Sequence, residues 1–181
     1  PPETAREVFA LYREYHGPLS IFSDGRPYLD GTGMALFQNR HIQRHSTEGR
    51  QPDDGRTPVV RELDEWMSRH AHEVEKFCLF FDSIEIAQAA LVRFRAFPGI
   101  EAVQGAPDNV EVTAAGVDKG TALLALADRL GIPREATLAI GDSDNDRAML
   151  ARAGVAAVMA NALPEIRALG DIVSTCDNDH D

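Results

Sequence analysis

Thr137-Leu138-Ala139-Ile140-Gly141-Asp142-Ser143-Asp144-Asn145-Asp146-Arg147-Ala148-Met149-Leu150 runs an apolar strand directly into a knot of acids. In an open α/β sheet the carboxyl ends of the strands are where ligands bind, and carboxylates placed there suit Mg²⁺, which takes oxygen ligands and keeps several waters. A plain helix cap explains Asp142 or Ser143 equally well, since acids and Ser commonly open helices. A calcium loop does not explain the stretch. Counted from Asp142, its sixth position is Arg147 where a turn glycine is needed, its twelfth is Ala153 where a bidentate Glu is needed, and a strand precedes it instead of a helix.

Upstream, Gly116-Val117-Asp118-Lys119-Gly120 opens a helical run from Thr121 to Leu130, with Leu123, Leu124, Ala127 and Leu130 at helical spacing. A lysine at such a helix start can face the same cleft as the acidic turn. Alone it would be an ordinary solvated lysine.

In this pairing the chain resembles the Cof-type branch of the haloacid dehalogenase (HAD) superfamily of phosphatases. The resemblance is carried by Val110-Glu111-Val112, Gly116-Val117-Asp118-Lys119-Gly120, Leu130-Gly131-Ile132 and Ala139-Ile140-Gly141-Asp142. It continues through Asn145-Asp146, Met149-Leu150, Ala153-Gly154-Val155 and Met159-Ala160-Asn161-Ala162, in continuous register from about Lys76 to the end. It implies a HAD-like Rossmannoid α/β fold with an α/β cap, and a phosphatase in which an aspartate attacks a phosphate monoester and water hydrolyses the aspartyl-phosphate. It implies Mg²⁺ as cofactor and small phosphorylated metabolites, sugar phosphates foremost, as substrates. Residue by residue, Lys119 would be catalytic, neutralising nucleophile and phosphate. Asn145 would touch the phosphate or its waters. Asp142 would ligate the metal, and Asp146 would support the metal site through hydrogen bonds or metal-bound water.

One motif of the family has no counterpart. An apolar strand ending in Asp-x-Asp-Gly-Thr should supply the nucleophile, yet Pro27-Tyr28-Leu29-Asp30-Gly31-Thr32 has Tyr28 in the nucleophile's place and reads as a turn at Asp30-Gly31-Thr32. Asp82 follows the strand Phe77-Cys78-Leu79-Phe80-Phe81, but Ser83, Ile84 and Glu85 come next. The resemblance therefore implies a cap at residues 1–114 and the C-terminal part of the core at 115–181, with the nucleophile-bearing segment outside the chain. Asn178-Asp179-His180-Asp181 resembles the stretch before the family's last helix. The strand at Thr137 to Ile140 is then expected to be paired on both sides, by that absent segment or by a neighbouring subunit. Two other readings are an inert fragment or paralogue that binds a ligand or partner, and one half of a split or oligomeric enzyme.

Composition sets wider bounds. With 181 residues, 44% hydrophobic and 26% charged, the chain can build one or two compact domains. A net charge of −11 argues against nucleic acid or anionic membrane as partner. No apolar run of membrane-spanning length and no signal-peptide pattern is present, and two cysteines give no disulfide framework, so the reading is cytoplasmic.

Along the chain, the periods predict a helix over Glu3 to His16, and strands at Leu19 to Phe22 and Pro27 to Leu29 about an Asp24-Gly25 turn. They predict a helix at Met34 to Arg44, a loop over Ser46 to Pro58, and a helix from Val59 to His70. The strand at Phe77 to Phe81 and a helix over Ile84 to Arg95 follow, then a hairpin of Ile100 to Gln104 with Val110 to Thr113. Beyond Gly116 strand and helix alternate as in half of a doubly wound parallel sheet. His41 and His45 lack the Glu of a His-Glu-x-x-His zinc pair, and His70 and His72 diverge on a helix. Trp66 and Met67 either line a cap pocket or pack on the sheet. Arg40, Arg44, Arg50 and Arg56 read as solvent-facing.

Overall fold

The computed structural model describes residues 1–30 and 58–177, which fall into two compact units. The first comprises Pro1–Ala102 and Pro107–Ala114, the second Val103–Ala106 and Ala115–Asp181. The expected helix at Met34 to Arg44, the loop up to Thr57, His41, His45 and the arginines at 40, 44, 50 and 56 lie outside the described residues.

In the first unit helix α1 (Pro2–Arg13) precedes β1 (Leu19–Ser23) and β2 (Arg26–Asp30). β3 (Val59–Val60), α2 (Leu63–His70), β4 (Val74–Phe80), α3 (Ile84–Arg95), β5 (Ile100–Val103) and β6 (Asn109–Ala114) follow. The strands form one sheet in the order β3-β2-β1-β4-β6-β5. β1 and β2 are joined by the two-residue turn Asp24-Gly25, whose φ values of 50 and 68 give the backbone twist a tight antiparallel hairpin needs. Along β1 and β4, Leu19, Ile21, Phe77 and Leu79 point to the core face, where Val8 and Phe94 of the helices meet them. Phe94 and Leu79 are fully buried, each contributing about 1.5–3 kcal/mol on transfer from water.

Three elements differ from the periodicity. α1 ends at Arg13 instead of His16, because the chain must turn sharply there: His16 takes φ 53, and Gly17 passes so close to Phe80 that a Cβ would strike that residue's backbone. The Tyr12 hydroxyl donates to the Gly17 carbonyl and fastens the turn. Burial, with the Asp30 carboxylate nearby, holds the Tyr12 phenol above its ordinary pKa. The predicted helix from Val59 starts only at Leu63. Val59 and Val60 pair in parallel with Leu29 and Asp30, as suits two β-branched residues beside an available strand edge. Asp30 is therefore the buried last residue of β2 and not a turn residue. β4 starts earlier than expected, at Val74, because β1 supplies partners that far.

Trp66 lies beside Tyr28 at 5.3 Å and stacks on His70 at 4.8 Å, while Met67 is buried in the core. Cys78, on β4, is buried, and burial, aided by Glu111, pushes its thiol up to about 12. Since only the thiolate is nucleophilic, a thiol reagent at about pH 8 is expected to modify Cys176 in the native protein and Cys78 only after unfolding. Mass spectrometry of the alkylated peptides checks this, and rapid native labelling of Cys78 would contradict it.

The second unit opens with α4 (Lys119–Arg129). It continues with β7 (Leu138–Gly141), α5 (Arg147–Arg152), β8 (Val155–Val158), α6 (Pro164–Arg167) and β9 (Ile172–Val173). The sheet order is β7-β8-β9, all parallel, with Ala139, Leu150, Ala156, Val158 and Ile166 at its core. Among the described residues β7 pairs with β8 alone, so the second partner expected for this strand is not among them, and Leu138 and Ile140 are 56% and 57% exposed. Among the described residues no helix is long and apolar enough to cross a membrane.

Candidate active site

The second unit builds its polar site from α4, the end of β7 and the turn into α5. Asp118 caps α4: its carboxylate accepts from the Thr121 N–H at 2.7 Å, and Thr121 Oγ1 accepts from the Asp118 N–H at 3.0 Å. Arg152 holds that cap from α5, with Nη1 3.1 Å from Asp118 Oδ1. Gly120 lets the two helices approach, because a Cβ there would run into the Ala148 carbonyl. Lys119 is thereby fixed as the first residue of α4. A cation at a helix N-terminus opposes the helix dipole, so stability alone does not select it.

What answers its charge is Asp146. Lys119 Nζ donates to Asp146 Oδ1 at 2.6 Å, bridging 27 residues of sequence. Asp146 Oδ2 accepts from the Asp142 N–H at 3.1 Å and the Ser143 N–H at 3.4 Å, with Ser143 Oγ also at 3.4 Å. The side chain is 9% exposed against 47% for Lys119, so the carboxylate is the buried keystone and the ammonium its partly solvated partner. Gly141 makes room for it: a Cβ there would lie 2.5 Å from Asp146 Cβ.

The turn 142–146 thus folds around one carboxylate. The 3₁₀ turn Asp144–Asp146 leads into α5, Asp144 pairs with Arg147 at 3.0 Å, and Asn145 N–H donates to the Gln104 carbonyl at 3.1 Å. Asn145 Oδ1 accepts from Ser143 Oγ at 2.9 Å, which leaves the amide N–H groups without a protein acceptor among the described residues. Asp142 stands at the strand end. Its Oδ2 accepts from Asn161 Nδ2 at 3.1 Å, and no described residue donates to Oδ1.

Lys119, Asp142, Asn145 and Asp146 are therefore gathered at one end of β7, around a helix start and a tight turn. Both Asp146 oxygens are engaged by protein donors, so the open carboxylate oxygen belongs to Asp142. Among the described residues no group of three His, Cys, Asp or Glu side chains converges to hold a metal. One open carboxylate oxygen with neutral amides beside it still fits Mg²⁺, which is commonly bound by one or two carboxylates and water. Asn161 was missed as a site residue by sequence reasoning. It stands in the quoted Met159-Ala160-Asn161-Ala162 run, but nothing in spacing shows a contact across 19 residues.

A strand-end acidic turn with a helix-borne lysine, on a parallel sheet, defines an α/β protein with its polar site at the carboxyl end of a strand. The chain belongs to the haloacid dehalogenase-like hydrolases, whose family model matches residues 1–181. It is 30% identical over 169 residues to an HMP-PP phosphatase of Cronobacter sakazakii, covering 92% of this chain and 57% of that protein. It is 33% identical over 103 residues to the 5-amino-6-(5-phospho-D-ribitylamino)uracil phosphatase YcsE of Bacillus subtilis, covering 57% of this chain and 41% of that protein. The chain thus spans about half the length of these relatives.

A solved haloacid dehalogenase-like hydrolase from B. subtilis matches with a TM-score of 0.75 at 22% identity, covering 95% of this chain and 65% of that one. A HAD subclass IIB sugar phosphatase matches at 0.72 and 22%, covering 96% and 61%. These likenesses establish the HAD-like α/β fold.

Proposed function

We propose that these residues belong to a Mg²⁺-dependent phosphatase of small phosphorylated metabolites, with sugar phosphates the favoured class, working in the cytoplasm. The observation that carries the reading is the shared carboxylate of Asp146, which ties the Lys119 ammonium to the backbone of Asp142 and Ser143. A carboxylate saturated in this way serves as a strut. It sets a cation and an open carboxylate at fixed positions, as phosphoryl transfer requires, since that chemistry depends on positioning and charge stabilisation.

In this reading Lys119 neutralises the phosphoryl oxygens and the attacking carboxylate, and the Asn145 amide donates to phosphate or its waters. Asp142 would hold Mg²⁺ through Oδ1, with Asp146 supporting from behind, and the metal when bound would spread phosphoryl charge. Residues 1–114 act as the cap that selects substrate, and 115–181 carry the catalytic machinery. The named phosphatase relatives support small phosphorylated metabolites as substrates, and the sugar-phosphate class is suggested by the matched sugar phosphatase alone.

The attacking aspartate is neither Asp30 nor Asp82. Asp30 is buried as the last residue of β2, paired with Val60 of β3, and Asp82 is followed by Ser83, which caps α3, so neither stands in a strand-end motif of the nucleophile's kind. The 181-residue chain is accordingly expected to hydrolyse p-nitrophenyl phosphate with Mg²⁺ no faster than buffer. Robust hydrolysis that vanishes in Asp30→Ala or Asp82→Ala would overturn this assignment of the nucleophile. The phosphatase reading itself is tested in the longer enzyme containing these residues, by turnover of a panel of sugar phosphates with and without Mg²⁺. Absence of metal-dependent turnover across that panel would refute it.

A further inference from the structure

We propose that Asn161 is a positioning residue that makes Asp142 a one-oxygen metal ligand and so biases the site toward Mg²⁺ over Ca²⁺; this rests on the reading of Asp142 as metal ligand above. Asn161 lies in the loop leaving β8, the parallel neighbour of β7, and its amide Nδ2 donates to Asp142 Oδ2 at 3.1 Å. Only the NH₂ end of an amide can face a carboxylate, so the contact fixes the amide's orientation as well as the acid's.

The loop that carries Asn161 is itself pinned. Met159 N–H donates to the Gly141 carbonyl at 3.1 Å, immediately before Asp142. Ala160 N–H donates to the Cys176 carbonyl at 3.1 Å, and Ala162 N–H to the Met159 carbonyl at 3.1 Å. Arg167 Nη1 donates to the Ala160 carbonyl at 2.8 Å. The amide is thus delivered to Asp142 by backbone held on both flanks.

The consequence follows from the two ions' coordination habits. Ca²⁺ takes six to eight oxygens and accepts bidentate carboxylates, whereas Mg²⁺ demands near-octahedral geometry and keeps waters around one or two carboxylate oxygens. A donor held on Oδ2 leaves Oδ1 as the ligand atom and opposes bidentate capture. Because the amide is neutral, it does this without repelling the cation. Partners of this kind, behind the ligating group, typically change metal affinity 10–100-fold.

The test is calorimetric titration of the chain with Mg²⁺ and, separately, with Ca²⁺, for the wild type, Asn161→Ala, Asn161→Asp and Asp142→Ala. Asn161→Asp keeps the shape and removes the donor, so it serves where Asn161→Ala fails to fold. Asn161→Ala is expected to lose about tenfold or more in Mg²⁺ affinity with a smaller loss for Ca²⁺. Asn161→Asp is expected to shift the ratio further toward Ca²⁺. If Asp142→Ala abolishes Mg²⁺ binding while the Asn161 variants keep the wild-type ratio, the inference on Asn161 is wrong and the metal reading stands. If the wild type binds no Mg²⁺ at tens of millimolar, or binds it no better than Asp142→Ala, both fall together.

Discussion

Asp142→Ala is expected, on the proposed phosphatase reading, to lower Mg²⁺-dependent turnover by about 10²–10³-fold in any longer protein that contains these residues, the usual loss when one element of transition-state charge stabilisation is removed. The fold around it should survive. What Asp142 gives to the Asp146 strut is its backbone N–H, at 3.1 Å, and a side-chain truncation leaves that bond in place. The Lys119–Asp146 pair should likewise persist, so the melting temperature of Asp142→Ala should stay close to wild type. Asp142→Asn makes the argument sharper: it preserves shape and packing but removes the charge, and it should be about as inactive as the alanine variant. Steady-state assays across a Mg²⁺ series check both. Turnover within about tenfold of wild type, with its metal dependence intact, would show that Asp142 does not hold the metal.

Much of the second unit is legible in its sequence because local signals agree with one another there. Leu138-Ala139-Ile140 reads as a strand, the acidic turn as a strand end, and Gly116 to Gly120 as the opening of a helical run. The structure places β7, the 144–146 turn and α4 accordingly. Where the reading fails, a tertiary partner overrides the period. Val60, Leu63 and Met67 fall on one helical face, yet Val60 reaches the core from a strand, because the edge of β2 lies open to it. The end of α1 depends on how near Gly17 passes to Phe80, a contact that leaves no trace in spacing.

The division of labour between Asp142 and Asp146 is of the same kind. Both are acids of one motif, and the family resemblance implies Asp142 as a metal ligand with Asp146 in support, through hydrogen bonds or metal-bound water. Only the positions of Lys119 and two backbone N–H groups show which carboxylate is saturated and which keeps an open oxygen.

Gly141→Ala is expected to destabilise the protein by about 2–4 kcal/mol and to disable the site from a position that touches no substrate. The added Cβ would sit 2.5 Å from Asp146 Cβ and 2.7 Å from its Cγ and Oδ2, distances no real Cβ tolerates. The obstacle includes the root of the side chain and not merely its tip, so a small rotation about χ does not relieve it. Asp146 must move, and its bonds to Lys119, Asp142 and Ser143 move with it. Overpacking of this kind costs about 1–3 kcal/mol, and hydrogen bonds to a charged group contribute about 1.5–3 kcal/mol each. The terms overlap, since relieving the clash is what breaks the bonds, and the total therefore stays below their sum. A double-mutant cycle separates this mechanism from a general intolerance of side chains at 141. With Asp146 already replaced by glycine, the Cβ, Cγ and Oδ2 obstacles are all gone and no strut remains to be displaced. Gly141→Ala should then add only about 1 kcal/mol in urea unfolding, against its full effect in the wild-type background. Equal penalties in the two backgrounds would mean that Gly141 is required for a reason other than seating Asp146.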